Sequence, residues 1–330
     1  MTRATTMGHR ISWTGRTWNP GIFGCTLAGP ECLSCYAAVM AHRGLGPYAQ
    51  YKGAITKVDT HGVTWTGAVV TDLDRVATTA AQLPRTPTLV FTTSMADLYH
   101  RDVHEDFLAA VHAEMAARPV LTFQELTKRA DRRQHLYTDP AYVRLVERQL
   151  QQRHPGAAWP GWPLPNVWQG TTMGDDAPAR HDRARALCAT PTRAVRFLSV
   201  EPMLQAPDLR GYVEPHPLTR ATQALRAGRY PVADKGPGSP INLVILGGES
   251  KYTRRAPRPL DLDGLRRVID YVGRCGPGVA VQIKQLGDVW AAQAGSADKA
   301  GADPADWPAD LQPYYGLPGH LAQQAGLGAA

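Results

Sequence analysis

The 330-residue chain has no run of about 18 apolar residues, the length a helix needs to cross a bilayer, so no membrane span is expected. Its first ten residues hold no apolar stretch of the kind a secretory signal requires, and a cytoplasmic location is the expectation. Cysteine is scarce: five residues, an odd count, argue against a disulfide framework. There is no P-loop, no nucleophile-elbow serine and no six-residue dinucleotide fingerprint. No fixed-period repeat marks a solenoid or propeller. What remains is a globular composition, 43% apolar and 20% charged, which excludes collagen, coiled coil and disorder as the main state. The net charge of +7 permits a polyanionic partner such as nucleic acid without requiring one.

Short apolar runs alternate with helix-like stretches. The strands predicted are Thr88–Ser94, Val120–Leu126, Asn166–Thr171, Arg196–Val200, Asn242–Leu246 and Val279–Lys284. Helices are expected at Phe107–Ala117, Tyr142–Gln152, Ala179–Cys188 and Leu262–Tyr271. A further strand is expected near Arg10–Trp13 or within Val63–Asp72. The fold class is therefore α/β, a full or partial (β/α) barrel of six to eight mainly parallel strands, with a doubly wound open sheet as the alternative. Residues 1–290 read as one barrel-like domain. The Pro-, Gly- and Arg-rich stretch 214–240 reads as an insertion, Arg153–Pro165 as a rigid loop, and 291–330 as a partly disordered C-terminal extension.

Parallel α/β folds bind ligands at the carboxyl ends of their strands. Every strand end here carries charge or hydrogen-bonding capacity: Ser94 and Asp97; Glu125, Lys128 and Arg129; Thr172, Asp175 and Asp176; Ser199 and Glu201; Gly247, Gly248, Glu249 and Ser250; Lys284 and Gln285. For any one of them taken singly, a solvated loop residue or a helix cap is the favoured reading. Together they read as a pocket. Lys128, Glu201 and Lys284 are the candidates for catalysis. Tyr36, Ser94, Asp97, Gly247, Gly248 and Glu249 are the candidates for cofactor contacts, the glycine turn as a pocket lining.

The sharpest signal is Cys25, Cys32 and Cys35, spaced C-x6-C-x2-C in a Gly- and Pro-containing loop, with Tyr36–Arg43 reading as a helix behind it. Three thiolates suit three positions of a metal or one face of a cubane cluster, with a fourth position open. A closed zinc site would need a fourth ligand, for which His42, Cys188 and Cys275 are the candidates.

Asn19-Pro20, Gly24-Cys25, Cys32-x-x-Cys35-Tyr36-Ala37 and Arg43 resemble the cluster loop of radical S-adenosylmethionine (SAM) proteins, the spore photoproduct lyase branch above all. The mainstream spacing there is C-x3-C-x2-C; the longer loop is similar to that of the phage-associated three-Cys-motif proteins, a radical-SAM-like group of unassigned activity. The segments Thr93–His100, Thr122–Arg129, Pro165–Gly170, Val195–Pro202, Gly247–Ser250 and Lys284–Gly287 carry the same resemblance. It implies a [4Fe–4S] cluster on Cys25, Cys32 and Cys35, SAM on its open iron, a partial (β/α) barrel and an electron donor. A nucleic-acid component or nucleotide is the substrate expected, and a dedicated partner protein is in keeping with the group. For contacts to nucleic acid the sequence offers Arg129, Arg132 and Arg133 against phosphates and Trp159 and Trp162 against bases, although a solvated helix face is the commoner meaning of such an arginine run and core or interdomain packing the commoner role of such tryptophans. Two further readings stand beside this one: a zinc-binding nucleic-acid-associated protein, and a metal-dependent hydrolase using Asp97, Asp175, Asp176, Glu201 and Glu249.

Overall fold

The structure, a computed structural model, describes residues 12–214 and 241–327. Seven strands form the main sheet: β1 (Arg16–Trp18), β2 (Thr88–Thr92), β3 (Leu121–Thr127), β4 (Val167–Thr172), β5 (Arg196–Val200), β6 (Leu243–Gly247) and β7 (Ala280–Gln285). They lie side by side in chain order, and every neighbouring pair is parallel. A doubly wound sheet would reverse its order at a switch point; this one does not, and it curls into a half-barrel.

The longer helices are α1 (Tyr36–Arg43), packed behind the cysteine segment, α2 (Asp74–Ala80), α3 (Glu105–Ala116), α4 (Ala130–Thr138), α5 (Pro140–Arg153), α6 (Pro178–Ala189), α7 (Leu262–Cys275), α8 (Asp288–Ala294) and α9 (Gly319–Gln324), of which α3, α5, α6 and α7 cover the outer face of the sheet and α9 meets the inner one. Their starts are written locally. Asp139 accepts from the Ala141 amide with Pro140 in the first turn of α5, and Asp261 accepts from the Gly264 amide of α7. Leu265, Val268, Ile269 and Val272 recur at helical spacing and form the buried stripe of α7. Among the described residues no helix is long and apolar enough to cross a membrane.

Both faces of the sheet are covered, which is why its strands are apolar at nearly every position. Val90, Phe123 and Val167 pack outward with α3 and α5, and Leu198, Val200, Val244, Leu246 and Ile283 pack outward with α6 and α7. Leu89, Phe91, Trp168, Phe197, Leu243, Ile245 and Ala280 face inward and meet Trp13, Leu321 and Ala325. The Trp13 ring stands 4.6 Å from that of Phe91 and 5.8 Å from that of Phe197, so aromatic rings form the floor of the half-barrel.

Several expectations are revised. The first strand is Arg16–Trp18; of Arg10–Trp13, residues 10 and 11 lie outside the described residues, and Trp13 is a floor residue. Val63–Asp72 contributes to two small antiparallel pairs instead, Thr56–Asp59 with Gly62–Trp65 and Ile22–Phe23 with Val70–Thr71. Residues 291–327 are part of the body: Trp307 and Leu311 join the outer core, Tyr315 bridges Ile283, and α9 reaches the floor. Residues 215–240 of the expected insertion lie outside the described residues.

Candidate functional site

Parallel strands bring all their carboxyl ends to one rim, and a period of two decides which side chains turn inward there. Register carries the inner face from Gly170 to Phe197, Leu243 and Ala280, and from Thr172 to Ser199, Ile245 and Gln282. Two residues further along, Glu201, Gly247 and Lys284 line the rim, and Lys128 follows Leu126 on β3 in the same way. Lys284 Nζ lies 3.3 Å from Glu201 Oε1. Gly247 gives the carboxylate its room, since a Cβ there would stand 2.6 Å from Glu201 Oε1. Burial raises the Glu201 pKa, and the opposing pull of Lys284 and a hydrogen bond with Ser199 does not cancel it. For Lys128 burial works the other way, but Cys32, Glu31, Cys35 and Asp97 outweigh it and raise its pKa. The three candidates for catalysis thus share one rim.

The cysteine loop follows β1 and lies over this rim. Gly24 enters it at φ +91°, and a Cβ there would stand 2.1 Å from the Ala68 carbonyl oxygen, so a side chain is excluded both by conformation and by space. Two clamps hold the loop. In the first, Glu31 is fully buried and pairs with Arg183 and, at 3.1 Å, with Arg180; Arg183 also donates to the Ala28 carbonyl. Burial would raise the Glu31 pKa, but Arg183 and Lys128 hold it below the ordinary value. In the second, Asp97 accepts from Arg129 at 2.7 Å, from Thr127 at 2.6 Å and from the Lys128 amide at 3.0 Å. Arg129 then donates to Thr26, next to Cys25. The Asp102 amide donates to His100 Nδ1, so the His100 proton sits on Nε2 and is donated to Thr26 Oγ1 at 2.9 Å. Burial and the nearby Arg129 lower the His100 pKa and keep that ring neutral.

Cys25, Cys32 and Cys35 lie within electrostatic reach of one another, with Asp97, Arg129 and Lys128 around them. Burial is the first cause that pushes the Cys25 thiol up to about 12, with Asp97 and the other two cysteines adding to it. Burial also raises Cys35, although it caps α1 and the Ala37 and Ala38 amides favour its thiolate. Buried thiols of this kind ionise only when a cation compensates them. Among the described residues no three Cys, His, Asp or Glu side chains converge on one metal ion. A cubane makes a different demand, one thiol for each of three irons, and three thiols on one clamped loop beside two cations fit it in donor chemistry. The proposed fourth ligands lie elsewhere. Cys188 belongs to the outer core beside Arg196, Cys275 ends α7, and His42 Nδ1 is 2.9 Å from Thr56 Oγ1.

The expected cofactor residues divide. Asn19 holds Ser94 and the Met95 amide, Tyr36 donates to the Ser94 carbonyl, and the Tyr36 ring lies 5.7 Å from that of Tyr252. The intervening Thr93 has φ 66°, costly for a β-branched residue, and its amide donates to Trp18 at 2.7 Å. Gly248 is packed against Leu286, where a Cβ would meet the carbonyl oxygen at 2.3 Å. Glu249 is taken up by Arg258, whose amide and Nε each donate to it at 2.8 Å. Asp175 pairs with Arg180 at 3.3 Å and Asp176 with His181 at 3.0 Å. Each carboxylate of the hydrolase reading therefore has its own basic partner.

The arginines offered for nucleic-acid contacts are committed within the protein, and the two tryptophans follow the packing reading. Arg129 is committed to Asp97 and Thr26, Arg132 donates to the His100 and Val103 carbonyls, and Arg133 is fully buried and donates to Gly170. Trp159 and Trp162 pack against the outer core. Glu125 faces outward, where His112 Nε2 lies 2.9 Å from Oε1 and Tyr99 donates to Oε2 at 2.7 Å. Sequence reasoning missed Asn19, Thr26, Glu31, Arg180 and Arg183 as holders of the site. A charged residue inside an otherwise uncharged cysteine loop was the available signal for Glu31.

A family model matches residues 8–306, and its description is "Protein of unknown function (DUF5131)". No curated protein and no solved structure matches the chain.

Proposed function

The chain belongs to the DUF5131 family, whose description names no activity, and from its own rim we propose that it is an iron–sulfur enzyme of radical-SAM type that modifies or repairs a nucleic-acid component. The observation that carries the reading is the position of the cysteine loop: three mutually coupled thiols, clamped by Glu31 and by Asp97–Arg129, over the carboxyl rim of a parallel half-barrel. Cys25, Cys32 and Cys35 would hold a [4Fe–4S] cluster. Such a cluster, when bound and reduced, supplies an electron to SAM, whose cleavage yields a radical able to abstract hydrogen.

The chain's own residues have separate tasks. Lys128 places a positive charge beside the thiols and lowers the cost of their negative charge in a buried site. Asn19 and Tyr36 fix the Ser94 turn beside α1. Glu201 and Lys284 stand as a pair at the rim, and burial raises the carboxyl pKa above its ordinary value. The aromatic floor closes the half-barrel from below and keeps water out of its base. An external electron donor completes the requirement.

The test is iron and sulfide content with electron paramagnetic resonance on anaerobically reconstituted protein, followed by chromatography for 5′-deoxyadenosine after reduction with SAM. About four irons per chain and that product are expected. One zinc per chain and no iron after reconstitution would replace this reading with the zinc-protein alternative.

A further inference from the structure

The segment that follows the Gly247–Gly248 turn brings exposed positive charge to the edge of the rim. From Ser250 to Pro259 the chain holds four basic residues and no acidic one. Arg258 is taken by Glu249. Among the described residues no carboxylate pairs with the side chains of Lys251, Arg254 or Arg255, and Lys251 and Arg254 are exposed. The backbone that presents them is tied down. The Lys251 amide donates to Asp288 at 3.0 Å, the Arg254 amide to the His61 carbonyl at 3.1 Å, and Gln285 Nε2 to Ser250 Oγ at 2.7 Å. Thr253 is buried beside Gly62, while Tyr252 and Arg254 on either side of it are exposed.

An aromatic pair stands at the same place. Tyr252 is 40% exposed and Tyr36, the first residue of α1, is 36% exposed, with their ring centroids 5.7 Å apart and the rings tilted by 51°. Tyr36 follows Cys35 directly and donates to the Ser94 carbonyl, and Tyr252 lies within electrostatic reach of Lys284. The two rings therefore join the cysteine loop to the Glu201–Lys284 pair along the outer surface of the rim, where a partner can reach them. Fixed, unpaired cations suit phosphates, and exposed rings suit bases, since every base has a π-face. An acidic protein would answer the cations and leave the rings without a purpose. A duplex keeps its bases stacked on one another and offers the rings nothing. A single strand answers both.

We propose that Tyr36 and Tyr252 form a stacking platform for a base of single-stranded nucleic acid at the mouth of the half-barrel, with Lys251, Arg254 and Arg255 on the phosphates of that strand. The platform serves the rim described above and rests on the radical reading only for the reaction performed there.

Fluorescence anisotropy of the full chain, without SAM or reductant, uses labelled mixed-sequence single strands of about 12 nucleotides, DNA and RNA, with a duplex of the same length and poly-glutamate as controls. A single strand is expected to bind more tightly than the duplex. Tyr252→Ala should weaken that binding by about five- to hundredfold, the range for loss of one stacked base, while Tyr252→Phe should bind like wild type. Lys251→Ala and Arg254→Ala should each reduce the slope of log affinity against log salt by about 0.7, as expected for one phosphate contact on a single strand. No binding of either strand, a duplex bound as tightly, displacement by poly-glutamate at equal charge, or wild-type binding by Tyr252→Ala would each overturn the inference. Iron content and 5′-deoxyadenosine formation, measured on the same preparations, report on the radical reading separately.

Discussion

Glu31 and Arg183 form a buried ion pair across 152 residues of chain, joining the cysteine loop to the helix that follows β4. The pair gives the loop a fixed seat on the barrel although the loop has little regular structure of its own. Arg180 grips the other carboxylate oxygen at 3.1 Å.

Glu31→Ala leaves two buried guanidinium groups without their carboxylate. A loss of about 3–5 kcal/mol in stability is expected, the usual cost of breaking a buried pair from one side. Chemical denaturation measures it, and the iron retained per folded chain should fall as well. The pair also sets an acid limit. The folded-state pKa of Glu31 lies below its ordinary value of 4.5, so its contribution is present above about that pH and is lost as pH falls through the folded value. The stability gap between wild type and Glu31→Ala should therefore close in acid.

Single alanine substitutions of Cys25, Cys32 or Cys35 are expected to reduce bound iron to a small fraction of the wild-type amount. Cys188→Ser, Cys275→Ser and His42→Ala should retain it, because those residues have separate surroundings. Colorimetric iron and sulfide assays decide the matter. Loss of iron in Cys188→Ser would place that thiol in the cluster site.

Glu201→Gln keeps the shape of the side chain and removes its charge. The folded-state pKa of Glu201 is raised above 4.5, so wild-type stability declines as pH rises through the folded value. The melting temperature of Glu201→Gln relative to wild type is expected to rise with pH above about 4.5 and to level off once the native carboxyl is ionised. Turnover should fall by roughly a hundredfold or more if Glu201 transfers a proton. A pH-independent difference in melting temperature would contradict the stability argument.

Glu125→Ala should destabilise without touching the rim. It strands His112, Tyr99 and Tyr137 in the outer core, and the melting temperature should drop by roughly 6–10 °C. Iron per folded chain should be unchanged. Burial opposes ionisation of Glu125, but His112 and Tyr99 hold its pKa low, as expected for a carboxylate that packs rather than reacts.

Residue pattern alone made much of the fold legible. Six strands and the helix Tyr36–Arg43 lie where apolar runs and helical spacing put them, because burial on both sheet faces writes itself into consecutive residues. The short β1 escaped notice, since three residues of the sequence Arg-Thr-Trp carry no periodic signal. The helix α4 escaped because its buried Arg133 reads as surface charge until its donation to Gly170 is seen.

Chain chemistry also determined which groups are available at the strand ends: Lys128, Glu201, Lys284 and the three cysteines. What only the tertiary structure decided is how those groups are spent. A strand's period of two turned Glu125 outward and Lys128 inward, two residues in one motif with opposite fates. Ion pairs committed Asp97 to Arg129 and Glu249 to Arg258, and hydrogen bonds committed the arginines of the helix after β3 to backbone carbonyls. Hydrogen bonds and charge pairs act over a few ångströms, and their partners here stand from nine to 152 residues apart in the chain. Local sequence records the chemistry of a side chain; the half-barrel decides which partner it meets.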